Sequence, residues 1–107
     1  MNDQIEIWEG IFGLGSWKKK RAKCENGHFK IFSLKNNKNR LKFDLSKIGY
    51  KAVTQSYFGF NIYTEYEKYM FRVDSKEKLN KWEEFFQQEA LERKKKLEQM
   101  KSLIKIK

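Results

Sequence analysis

The residues of this chain that could do chemistry are cations. Between Trp17 and Cys24 the sequence reads Lys18-Lys19-Lys20-Arg21-Ala22-Lys23. Successive side chains of an extended strand alternate between two faces, so Lys18 and Lys20 share one face and Lys19, Arg21 and Lys23 the other. Arg40 and Lys42 add bases near the start of a later apolar run. Catalytic material is lacking by comparison. One cysteine, Cys24, and one histidine, His28, cannot fill a tetrahedral zinc site or close an internal disulfide. With Glu25 they match no ligand or catalytic spacing, and no Gly-rich phosphate loop, nucleophile elbow or paired catalytic carboxylates occur. No enzyme, no cofactor and no metal is expected.

The charge balance points the same way. In 107 residues, 24 Lys and Arg face 14 Asp and Glu, a formal net charge of +10. Residues 11–43 hold ten bases and a single acid, Glu25, so the excess is segregated rather than spread. Such a field steers a protein toward an anionic surface: lipid headgroups, nucleic acid or an acidic protein. High net charge also accompanies disorder, but three Trp, five Tyr and nine Phe are too many for a solvated chain. No run nears the roughly 18–20 apolar residues of a membrane span, and no signal-peptide pattern opens the chain. The reducing, cytosolic side of a membrane is the expected location.

These residues need a scaffold, and the hydrophobic pattern supplies one. An apolar opening strand lies around residues 5–13, a second runs from Trp17 to Cys24 and a third from Phe29 to Leu34. Asn26-Gly27 between the last two is a strong hairpin signal. Leu41, Phe43 and Leu45 alternate for a fourth strand, Tyr50 to Thr54 forms a fifth, Phe58, Phe60 and Ile62 a sixth, and Tyr69, Phe71 and Val73 a seventh. Then the period changes. Asp74 with Glu77 three residues on resembles a capping box and starts a helix at Ser75. Leu79, Trp82, Phe86 and Ala90 fall on one helical stripe. Residues 5–91 read as one mainly β domain closed by an amphipathic helix, and 92–107 as a basic helical extension or tail.

Glu9-Gly10-Ile11-Phe12, Trp17-Lys18-Lys19-Lys20, Asn26-Gly27, Phe43-Asp44-Leu45-Ser46, Phe60-Asn61-Ile62-Tyr63-Thr64, Tyr69-Met70-Phe71-Arg72-Val73 and Trp82, in that order, resemble a pleckstrin homology (PH) domain. The resemblance covers about Ile5 to Ala90. It implies a seven-stranded, bent antiparallel barrel or sandwich capped by the C-terminal helix, with Trp82 in the core. It also implies a phosphate-binding role for Lys18 and Lys20, which match the family's basic-x-basic pair in the second strand, and for Arg40 at the fourth. Two positions depart from the pattern. Leu14 stands where the family has a lysine late in the first strand, and Ile31 where it often has a tyrosine. The segment Gly13 to Trp17 reads as a short loop. These departures favour a simpler anionic headgroup, such as phosphatidic acid (as in the small acylated PH proteins that sense it) or a singly phosphorylated inositide.

The expected function is therefore a membrane-targeting module that is peripheral, monomeric and cytoplasmic. Lys18, Lys20 and Arg40 bind lipid phosphate, Lys19, Arg21, Lys23 and Lys42 form a second basic face, and Leu14 and Trp17 dip into the membrane interface. A protein-interaction module of the same fold is the alternative, since fold does not fix function. Specific nucleic-acid binding is not expected, because no recognition helix or stacking pattern is present.

Overall fold

The fold is set by where the alternation of apolar residues switches from two to 3.6. The computed structural model describes residues 2–11 and 13–105, without the side chains of 39, 40 and 102–105. Seven strands precede one helix: β1 (Asn2–Ile11), β2 (Leu14–Glu25), β3 (His28–Phe32), β4 (Asn39–Asp44), β5 (Gly49–Val53), β6 (Phe58–Tyr63), β7 (Lys68–Val73) and α1 (Lys76–Lys105). All neighbours are antiparallel, in the order β4-β3-β2-β1-β7-β6-β5. The sheet curls into a half-barrel, and α1 lies along its concave side. This is the seven-strand-plus-helix architecture expected from the sequence.

The concave side holds the core, and the inward positions alternate as a half-buried sheet requires. Ile5 and Ile7 of β1, Ala22 and Cys24 of β2, Phe29 and Ile31 of β3, Phe60 and Ile62 of β6, and Phe71 and Val73 of β7 are buried. Leu79, Trp82 and Phe86 of α1 complete it. Phe29 is the shared member. Its ring lies 4.8 to 6.1 Å from those of Phe43, Phe60, Phe71, Trp82 and Phe86. Cys24 is a buried core residue, and desolvation pushes its thiol up to about 12.

Two local expectations are corrected. First, Leu14 to Trp17 is not a loop. These residues pair with Ile11 to Trp8. Glycine signalled a loop here, but Gly10 and Gly15 face each other inside the ladder. A Cβ on Gly10 would lie 2.2 Å from the Leu14 carbonyl oxygen, and one on Gly15 2.5 Å from that of Glu9. The glycines serve a close backbone approach, the other use of glycine within a strand.

Second, the N-cap is Ser75 rather than Asp74. The Lys78 amide donates to Ser75 Oγ at 3.2 Å, while Asp74 forms an ion pair with Lys78 Nζ, also at 3.2 Å. The segment from residue 92 continues α1 without a break as far as Lys105, with no Gly or Pro to interrupt it. Arg93 still touches the domain: its Nη2 is 3.5 Å from Asp44 Oδ2, and its side chain lies against Gly27. At about 1.5 Å per residue the helix is roughly 45 Å long, in a molecule 53 Å by 27 Å by 27 Å.

The β2–β3 turn matches its signal. Asn26 and Gly27 both have positive φ, 53° and 74°, as a two-residue hairpin turn of this kind demands. The Gly27 amide donates to Glu89 Oε2 at 2.8 Å, fastening α1 to this end of the sheet.

Candidate functional site

Buried Ala22 and Cys24 define the concave face of β2, so Lys20, Lys18 and Leu14 continue that same face beyond the core, toward the hairpin end at Gly13. On β1, Ile5 and Ile7 lead likewise to Glu9 and Ile11. The register sets Ile5 opposite Lys20, Ile7 opposite Lys18 and Ile11 opposite Leu14. The hairpin end is therefore layered. Buried isoleucines come first, then the two lysines with Glu9, and finally an apolar tip at which Ile11 and Leu14 are 71% and 80% exposed.

The two lysines differ. Lys20 is half-buried and its Nζ lies 3.4 Å from Glu9 Oε1. Lys18 is exposed, and among the described residues it has no acidic partner. Three donors of one ammonium are thus free for an anion, and those of the other are shared with a carboxylate. Arg40 lies in β4, and its side chain is outside the described ones.

Lys19, Arg21 and Lys23 project from the convex face, with Lys42 beside them. The Arg21 guanidinium sits 5.4 Å from the Phe32 ring centroid. Lys23 and Lys30 both bind Glu25, at 3.1 and 3.3 Å, and these bonds, that from Lys23 first, hold its carboxyl below the usual range. Lys30 escaped the sequence reading. It falls in an apolar strand, and only its register with Lys23 and Lys42 places it in the basic face. Ile11 was missed for a similar reason, because its partner Leu14 was read as loop.

Leu14 and Trp17, expected to enter a membrane together, point to opposite faces. Trp17 is half-buried on the convex side, with ring centroids 5.5 Å from Trp8 and 5.1 Å from Tyr57. The Arg72 guanidinium lies 4.6 Å over its ring and is itself bound by Glu6. Among the described residues no group of three or more His, Cys, Asp and Glu could hold a metal ion. None of the helices searched is long and apolar enough to cross a membrane.

No family model and no curated protein matches the chain. Solved structures do. A chain in the crystal structure of SifA and SKIP superposes with a TM-score of 0.73 at 12% identity, covering 84% of this chain and 96% of that one. The PH domain of human TBC1 domain family member 2 gives 0.72 at 14%, covering 86% and 81%. The C-terminal PH domain of pleckstrin, in complex with D-myo-Ins(1,2,3,5,6)P5, gives 0.67 at 14%, covering 82% and 93%. At these identities the likeness establishes the fold, which is that of a PH domain.

Proposed function

Starting from a PH fold with one basic, apolar-tipped end, we propose that the chain is a non-enzymatic module that binds anionic phospholipid headgroups on the cytosolic face of a membrane. The observation that carries this reading is the shared face of Lys18, Lys20, Ile11 and Leu14. Lysines set just behind an exposed apolar pair match the layering of a membrane, with phosphates at the surface and acyl chains beneath. Long-range attraction brings the domain to an anionic leaflet, at about 1 kcal/mol per base near the surface. Lys18 then donates charge-assisted hydrogen bonds to a phosphate. Ile11 and Leu14 enter the interfacial zone.

Glu9 narrows the ligand. A carboxylate 3.4 Å from Lys20 Nζ repels a densely phosphorylated headgroup and leaves roughly one free cation at the site. Phosphatidic acid or a singly phosphorylated inositide fits that charge. The inositol phosphate in the pleckstrin structure is consistent with a phosphate ligand for this fold.

The test is co-sedimentation with vesicles of equal total negative charge, containing phosphatidylserine alone or with added phosphatidic acid or single phosphoinositides. Preference for one headgroup, lost in Lys18→Ala/Lys20→Ala, is expected. Equal binding to every vesicle, unaffected by the double variant, would reduce the site to bulk charge attraction.

A further inference from the structure

The convex face holds an arrangement that folding does not favour. Lys23 stands opposite Lys30, and Lys30 opposite Lys42, on three adjacent strands. With strands about 4.8 Å apart, the three lysines form a row roughly 10 Å long. Like charges directly opposite destabilise a sheet. Glu25 offsets Lys23 and Lys30, but among the described residues Lys42 is exposed without an acidic partner. A lysine on an edge strand guards against stray pairing, which accounts for Lys42 alone. Lys23 and Lys30 sit on interior strands, where no such guard is needed.

The row runs out at a sheet edge. Among the described residues, β4 is terminal in the strand order and pairs only with β3. Its second backbone edge is a template for another strand. Of its inward residues, Phe43 is buried and Leu41 is only half-buried.

We propose that the β4 edge accepts an extended acidic segment of a partner protein as an added strand. Carboxylates on alternate residues of that segment fall on the convex face beside Lys42 and continue the lysine row with the opposite sign. Its intervening apolar residues lie beside Leu41 and Phe43 on the concave side. Main-chain hydrogen bonds supply affinity, the lysines select charge, and the alternation fixes register. A nucleic acid fits less well, because two rings of this face that could stack on bases are already covered, Phe32 by Arg21 and Trp17 by Arg72. A membrane fits less well because the exposed apolar pair lies at the hairpin tip, on the opposite face. The proposal stands apart from the headgroup reading, since Lys18 and Lys20 take no part in it.

The probe is a peptide of alternating glutamate and valine long enough to span β4, followed by fluorescence anisotropy and by amide hydrogen exchange. The controls are a peptide of the same composition with its glutamates and valines in separate blocks, and an alternating lysine–valine peptide. The alternating acidic peptide is expected to bind and to slow exchange of the β4 amides that do not pair with β3. Affinity falls roughly tenfold in Lys30→Gln/Lys42→Gln and is unchanged in Lys18→Ala/Lys20→Ala. Equal binding of the block peptide, binding without protection of β4, or no binding at low salt would overturn strand addition. Tighter binding of an oligonucleotide or a phosphatidylserine vesicle, abolished by Lys30→Gln/Lys42→Gln, would reassign the row to that polyanion.

Discussion

Lys20 and Glu9 form an ion pair on the concave face of the β1–β2 hairpin, within the layer that also holds Lys18. The pair joins the two halves of the hairpin at the point where an anion would arrive. Exposed and half-exposed pairs of this kind add at most about 1 kcal/mol to stability. Its main effect is on the local potential.

Glu9→Gln removes a charge that opposes an incoming phosphate and frees the Lys20 ammonium. Binding to phosphatidic acid vesicles is expected to tighten severalfold, with a thermal midpoint close to wild type. Unchanged or weaker binding in the co-sedimentation assay would place the phosphate away from Lys20.

Ile11→Ser/Leu14→Ser strips the apolar tip and leaves the lysines in place. Vesicle binding should fall roughly tenfold or more, given about 25 cal/mol per Å² of apolar surface withdrawn from the interface. Binding of a soluble headgroup analogue, glycerol 3-phosphate, should be unaltered, as titration calorimetry would show. A parallel loss in both assays would mean that the tip shapes the pocket instead of entering the membrane.

Gly10→Ala drives a methyl into the Leu14 carbonyl oxygen, 2.2 Å from the ideal Cβ position. Neither strand can retreat without breaking the ladder, so a loss of about 1–3 kcal/mol is expected by chemical denaturation. Gly13→Ala, at the turn with φ 78° and no neighbour within 4 Å of its Cβ, carries only the backbone strain and should lose less.

Cys24 makes stability depend on alkaline pH. Its folded-state value is raised from 9.0 to about 12, chiefly by burial. The unfolded chain therefore releases the thiol proton first. The contribution is complete below about pH 9 and declines as pH rises toward about 12. Urea midpoints measured across that window should fall for the wild type and fall less for Cys24→Ala.

Residues that act within one strand were legible in the sequence; residues that act across strands were not. The alternation around Lys18 and Lys20 puts both on one face, and the burial of Ala22 and Cys24 makes that face the concave one. Asn26-Gly27 announced its turn, and the stripe Leu79, Trp82 and Phe86 announced the helix. Ile11 and Lys30 were missed because their roles come from the residues opposite them, Leu14 and Lys42, and pairing register is not written in either strand alone. Gly15 misled for a physical reason: glycine suits both a loop and a crowded ladder, and only the facing Gly10 separates the two. Asp74 and Ser75 both favour an N-cap, and which of them takes it depends on the path by which β7 enters the helix.

The sharing of Phe29 among rings from β4, β6, β7 and α1 sets how the domain comes apart. No one of these elements can loosen without stripping contacts from the others through that ring. Slow amides in β3, β6, β7 and the first half of α1 should therefore share one opening free energy, behaving as a single cooperative unit. Beyond Lys94, where the helix is mostly exposed, amides should exchange through local fraying, many-fold faster and insensitive to Phe29→Leu.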